Sequence, residues 1–501
     1  MLHSLFYKPR LALLGVLFAT AAVQACSSAT DAGGTPLSPG FSVALGTPAL
    51  SLTAGGTAST SIKAKRTDGL TSAITYTIAG APAGLTASVA STSVSDSSTL
   101  TVTASATLAA GTYPIVVNAT APGAPPQQAT VAVTVSVPVV GNLMSKLVVA
   151  GPGHACALTT DGVAYCWGYN GNGQLGNNDT TSVGEPAPVA VTGGLTFQSL
   201  SLSKVAGTSC GLSTSGAAYC WGENSQGQLG DGTTIRRLTP TAVAGGLTFT
   251  SLAMGNAHVC GVATNGTAYC WGTSPNGAFG DGSVGMHPTP LPAAPGMTFQ
   301  SITAGVDYTC GLTPAGAAYC WGVGVSGQLG DGNSSISTTP VAVSGGLTFR
   351  SLAAGGLTAC GLTTAGKAYC WGNNFYGTVG DGTDGLNGGS TRRPAPVAVA
   401  GGLTFKSLSG GYQTMCGVTD AGAGYCWGYN FGAIGDGTPD HRSSPTAVAG
   451  GLTYQSISSG TGQGCGVTTT NAAYCWGDNS NGSIGDGTFA LRLTPTPVRL
   501  P

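Results

Sequence analysis

The chain has 501 residues, of which only 7% are Asp, Glu, Lys or Arg; the formal net charge is -1, with 83 glycines and 15 cysteines. That length allows two or three domains. So few charges leave no basic stripe to neutralise phosphates, which argues against nucleic acid as a partner. Abundant Gly, Thr, Ser and Val, with no amphipathic helical period beyond the N-terminus, point to an all-β chain with many tight turns.

His3, Lys8 and Arg10 precede or open "LALLGVLFATAAV", an apolar run too short to span a bilayer and suited to a signal-peptide core. It ends in "VQAC", which resembles the lipobox of bacterial lipoproteins at Val23, Ala25 and Cys26, with Gln24 departing from that pattern. The resemblance implies a signal peptide over residues 1–25 and lipidation of Cys26. The expected location is the bacterial cell envelope, at the outer membrane or cell surface, with the lipid as the sole membrane contact. An ordinary secretory signal with an incidental cysteine leads outside the cytoplasm as well, where disulfides persist.

A Gly/Ser/Thr/Pro linker, "SSATDAGGTPLSPG", fills most of residues 26–40. Residues 41–138 hold no Cys or Trp, and alternating segments recur between turn signals: "TSIKAK", "ITYTIAG", "STLTVTASA", "TYPIVVNATA" and "ATVAVTVSV". This spacing predicts an antiparallel β-sandwich. The run "TLTVTASATLAAGTYPIVVNATAPG" resembles bacterial immunoglobulin-like surface domains, which implies a spacer and places Tyr113 at a strand corner.

From 139 to 501 the period is close to 50, marked by Trp167, Trp221, Trp271, Trp321, Trp371, Trp427 and Trp476. One copy reads "PVAVSGGLTFRSLAAGGLTACGLTTAGKAYCWGNNFYGTVGDGT", with four strand candidates, and four short strands per repeat are the signature of propeller blades. In "CGLTTAGKAYCWG" a three-residue turn with Gly366 left-handed sets Thr363 against Lys367 and Cys360 against Cys370. That places the cysteines on a non-hydrogen-bonded pair, close enough for a disulfide. The same spacing joins Cys156 to Cys166, Cys210 to Cys220, Cys260 to Cys270, Cys310 to Cys320, Cys416 to Cys426 and Cys465 to Cys475. Asn471 replaces the turn glycine in the last copy, the one exchange such a backbone tolerates well. Zinc would need two hairpins to converge or histidines to complete a set, and there are five histidines, so no metal and no cofactor are expected. Within a copy the cysteines share one face with Leu362 and Ala368, while Tyr369 and Trp371 take the other. Burial between neighbouring blades accounts for all seven tryptophans.

The phrases "GLTTAGKAYCWG" and, at 227–233, "GQLGDGT" resemble the regulator-of-chromosome-condensation repeat. The resemblance implies a seven-bladed β-propeller over residues 139–501, following the immunoglobulin-like β-sandwich. It departs from the eukaryotic pattern where a histidine two residues before the first cysteine survives only at His154 and His258. The aspartates of the "GDG" loops (Asp231, Asp281, Asp331, Asp381, Asp436 and Asp486) offer one carboxylate per copy, which suits tying a turn better than calcium. Ring closure is expected to add Pro497-Val498 to the blade that begins at Leu147.

No Ser/His/Asp or Cys/His set, phosphate loop or metal cluster is legible, so the protein is not expected to be an enzyme. Family members implied by the resemblance include a nucleotide-exchange factor for a small GTPase and secreted inhibitors that clamp β-lactamases; both bind proteins through loops. An exchange activity here is implied by the resemblance alone, and the signal segment argues against it. The reading is a monomeric envelope lipoprotein that binds a protein or glycan ligand through loops where the copies differ. Candidate anchors are Arg236, Arg237, Phe375, Tyr376, Arg392, Arg393, Tyr429 and Phe431, because aromatic residues and Arg dominate interfaces. The alternative is a structural envelope protein without a specific ligand.

Overall fold

The computed structural model describes residues 39–53, 56–90, 96–105, 111–136, 143–180 and 184–499. The signal segment, Cys26 and nearly all of the 26–40 linker lie outside the described residues. The chain divides into two compact units, residues 1–139 and 140–501. Among the described residues the structure is all-β, with one 3-10 turn at Ala400–Gly402. No helix among them is long and apolar enough to cross a membrane.

Among its described residues the first unit has eight strands: β1 (Gly40–Leu45), β2 (Ala49–Thr53), β3 (Thr57–Thr67), β4 (Thr75–Ala79), β5 (Leu85–Val89), β6 (Ser97–Ala104), β7 (Gly111–Ala121) and β8 (Ala124–Ser136). They form two four-stranded sheets, in the orders β1-β3-β6-β5 and β2-β8-β7-β4. Alternation drives the packing: along β7, Ile115, Val117 and Ala119 are buried while Pro114 and Thr120 are exposed. Those residues share one core with Ile62, Leu100, Val102, Val131 and Val133. The expectation of a wholly antiparallel unit fails at β2, which pairs in parallel with β8, Ala49 opposite Ala132. β1 pairs with β3 in one sheet, so the chain enters the other sheet as an edge strand rather than through a hairpin. Tyr113 lies inside β7 opposite Val133, not at a corner.

The second unit contains seven four-stranded sheets, each built from four consecutive strands. The first comprises β9 (Leu147–Ala150), β10 (His154–Leu158), β11 (Ala164–Tyr169) and β12 (Gly184–Ala190). Six more follow, bounded by Phe197 and Ala242, Phe249 and Pro292, Ser301 and Ala342, Phe349 and Ala398, Phe405 and Ala447, and Tyr454 and Pro497. The cysteine hairpin forms as the turn chemistry dictates. Thr363 N–H donates to Lys367 O at 2.9 Å, Gly366 has φ 75°, and Asn471 holds the equivalent place at φ 64°. Cys360 stands opposite Cys370 with Cα atoms 4.0 Å apart, and all seven pairs are disulfide-bonded within their own hairpins.

Both faces of each sheet are apolar because each is covered. Cys360, Leu362, Ala368 and Cys370 pack against Phe405 and Trp427 of the following sheet. Each tryptophan indole also donates to a carbonyl of the preceding sheet, as Trp371 Nε1 does to Gln328 O at 3.0 Å. The seventh sheet meets the first by the same device, with Trp167 Nε1 donating to Ser483 O at 2.9 Å and Trp167 packing with Cys465, Cys475 and Val498. The expected strand addition at this joint does not occur. Pro497 pairs with Tyr474 in the seventh sheet, and the first sheet already has its outer strand in β12. The fourth strand finds its partner next to it in sequence, so nothing is left over for the other end. Closure rests instead on Leu143, whose N–H donates to Val498 O at 3.0 Å, and on Met144, bridged to Ala472.

Candidate binding surface

Each "GDG" loop is tied by its own aspartate. Asp231 Oδ1 accepts from the Thr233 N–H at 2.9 Å and its hydroxyl at 2.7 Å, and Asp381, Asp436 and Asp486 repeat the pattern. A buried asparagine two residues past the Trp-Gly pair completes the loop. Asn224 Nδ2 donates to Thr233 O and Ile235 O, and its Oδ1 accepts from Leu229 N–H at 2.9 Å. Sequence reasoning missed these asparagines, although "WGxN" recurs at 170, 224, 374, 430 and 479. Among the described residues no group of three or more His, Cys, Asp or Glu is placed to hold a metal.

The arginine candidates divide in two. Arg237 and Arg393 act as braces: each lies opposite the glycine of its Trp-Gly pair and reaches the loop aspartate, Arg237 to Asp231 at 2.6 Å and Arg393 to Asp381 at 2.7 Å. Arg442 and Arg492 do the same with Asp436 and Asp486. Burial opposes ionisation of Asp381, yet the Thr383 hydrogen bonds and the Arg393 charge outweigh it and hold that carboxyl below the usual range. Arg236 and Arg392 remain exposed and touch the preceding sheet's loop, Arg392 Nη1 donating to Val325 O at 3.1 Å.

The aromatic candidates converge. Phe375 meets Tyr376 edge-on at 4.8 Å, Tyr376 meets Tyr429 at 4.9 Å, and His441 stacks on Tyr429 at 4.8 Å. His441 Nδ1 accepts from the Asn430 N–H at 2.9 Å, and burial lowers its pKa. Beside this cluster lies a groove of about 220 Å³ lined by Tyr412, Tyr429, Phe431, Thr461 and Asp478. Phe431 is 54% exposed at its rim. Tyr412 and Asp478 were not legible as partners, because they come from different copies and meet only when the sixth and seventh sheets pack.

The two surviving histidines are structural. Ser209 gives its hydroxyl proton to Gln174 O, so the buried His154 Nε2–H donates to Ser209 Oγ at 3.0 Å; His258 donates to Thr309 in the same way. Burial pushes both imidazoles down to about 4. Lys204 was also missed. Six residues separate Leu202 from its partner Ser209, where four separate Ala354 from Ala359, and the longer loop carries Lys204 to the first strands of the other sheets. Its amine donates to Gly410 O in the sixth sheet, and burial pushes its pKa down to about 8.

Four-stranded sheets, each stapled by its own cystine and packed face to face with the next, define a repeat protein of the β-propeller class. It is similar to the regulator of chromosome condensation (RCC1) repeat: one repeat model matches residues 146–174, 249–278 and 349–378, and a second matches 161–218 and 215–262. The chain is 38% identical over 101 residues to the ultraviolet-B receptor UVR8 of Arabidopsis thaliana, covering 19% of this chain and 21% of that protein. It is 35% identical over 105 residues to the E3 ubiquitin-protein ligase HERC2 of Homo sapiens, covering 20% and 2%. The matches thus span about a fifth or less of these relatives' lengths. Human WBSCR16 shares the fold with a TM-score of 0.61 at 19% identity, over 68% of this chain and 94% of that one. Yeast RCC1 (Prp20), in its complex with Kap60, does so with 0.61 at 20% identity, over 68% and 85%.

Proposed function

We propose that the chain is a non-enzymatic, exported lipoprotein of the cell envelope whose RCC1-type domain binds a protein or glycan ligand through its loops. In this reading the seven sheets are the blades of a closed seven-bladed propeller, the first unit is an immunoglobulin-like spacer, and Cys26 carries the lipid. The observation that carries it is the ledge of Phe375, Tyr376, Tyr429 and Phe431 beside the groove. Aromatic side chains from separate loops are gathered at a partly exposed surface, on a scaffold held rigid by disulfides. The test is binding of the full chain to purified envelope proteins and envelope polysaccharides, compared with a Tyr429→Ala/Phe431→Ala variant. The expected result is a loss of at least roughly tenfold in affinity with folding unchanged. Equal binding by the variant, or turnover of any ligand, would overturn the reading.

A further inference from the structure

The groove between the sixth and seventh sheets has a more specific chemistry than a general contact surface. Three of its lining side chains, Tyr412, Tyr429 and Phe431, are aromatic, and their ring faces carry negative potential. A fourth is the carboxylate of Asp478, which accepts from the Ser480 N–H at 3.0 Å and the Ser480 hydroxyl at 3.1 Å. Asp478 belongs to none of the five ion pairs among the described residues. The threonine hydroxyls that line the groove are already committed as donors, Thr414 Oγ1 to Tyr429 O at 2.7 Å and Thr461 Oγ1 to Lys204 O at 2.8 Å. Three aromatic rings and an anionic acceptor therefore face the same small groove.

Tyr429 is held in place from outside the groove, stacked on His441 and met edge-on by Tyr376. The volume of about 220 Å³ lies below the roughly 300–1,000 Å³ that suits drug-sized ligands, so it fits a head group rather than an oligosaccharide. We propose that this groove is a cation–π site for a quaternary or methylated ammonium group, with Tyr412, Tyr429 and Phe431 around the cation and Asp478 supplying the counter-charge. This rests on the ligand-binding reading above and names the chemistry of one of its contacts.

The test titrates the full, disulfide-bonded chain with choline chloride by calorimetry, alongside the neutral isostere 3,3-dimethylbutan-1-ol. Choline is expected to bind, the neutral alcohol at least about tenfold more weakly, and Phe431→Leu and Asp478→Asn each to weaken choline several-fold. Phe431 is largely exposed, so its replacement leaves the core intact and keeps the test valid if Asp478→Asn disturbs the Ser480 turn. Phosphatidylcholine vesicles and a trimethyl-lysine peptide then separate a lipid source of the cation from a protein source. Equal binding of the alcohol, or no choline binding while Phe431→Leu still weakens capture of an envelope ligand, would overturn the cation site; the second outcome would leave the broader reading standing.

Discussion

Arg393 Nε donates to Asp381 Oδ2 at 2.7 Å across a sequence separation of 12, closing a segment that includes the longest loop extension after a "GDG" turn. The same pairing across six residues in Arg237, Arg442 and Arg492 makes it a brace of the repeat. Arg393→Ala should destabilise by about 1–2 kcal/mol, because it leaves a partly buried carboxylate unpaired. The folded-state pKa values of Asp231, Asp381 and Asp486 lie below the ordinary range, so their contribution is present at neutral pH and lost as pH falls through them. Melting curves from pH 7 to 3 should show the parent losing more stability than Arg393→Ala. Parallel curves would mean the brace contributes nothing.

The buried Lys204 amine should cost stability at neutral pH. Its folded pKa of about 8 lies below the ordinary 10.5, so the unfolded chain binds the proton more tightly and stability rises with pH across that window. Lys204→Met should therefore stabilise at pH 7 by roughly 1–3 kcal/mol, net of the lost hydrogen bond to Gly410, with the gain shrinking towards pH 10.5. A lower melting temperature for the variant at pH 7 would show that the strut outweighs the burial.

Each cystine closes its own hairpin, so denatured, unreduced protein should show no reactive thiol from the fourteen repeat cysteines. Peptide maps linking different hairpins would sink the pairing. Replacing Cys360 and Cys370 together by Ala should cost on the order of 2–3 kcal/mol, the loop-entropy value for so short a loop.

Val498 is fully buried beside Leu143 and Trp167, where the seventh sheet meets the first. Val498→Ala should cost about 1–3 kcal/mol through the cavity it leaves. Hydrogen exchange should quicken first at Leu143 and Ala473, whose N–H groups bond across that joint; faster exchange spread evenly over all seven sheets would contradict this.

The hairpins were legible because everything that sets them lies within thirteen residues: the turn glycine, the alternation and the paired cysteines of "CGLTTAGKAYCWG". The alternating segments of β3, β4, β6, β7 and β8 were legible for the same reason, whereas β1, β2 and β5 were not read as strands. The braces were not, because Arg237 looks like any loop arginine until strand register sets it opposite Gly222, within reach of Asp231. Tyr376 and Tyr429 were recognised singly as aromatic loop residues, but their contact depends on how two copies pack. Lys204 was hidden by the repeat itself, since the period directs attention to what recurs and Lys204 sits in a two-residue excess.

The tryptophan hydrogen bond that joins the seventh sheet to the first matches the other six, and among the described residues the first and seventh sheets share no strand. The array therefore has no privileged starting point. A circular permutant that links residue 499 back to 143 and opens at the exposed Gly245-Gly246 turn would thread the same sheets in rotated order with every joint intact. The recurring cassette is a whole sheet with its cystine, joined to each neighbour by the same tryptophan hydrogen bond, so the loops can diverge while that bond recurs at every seam.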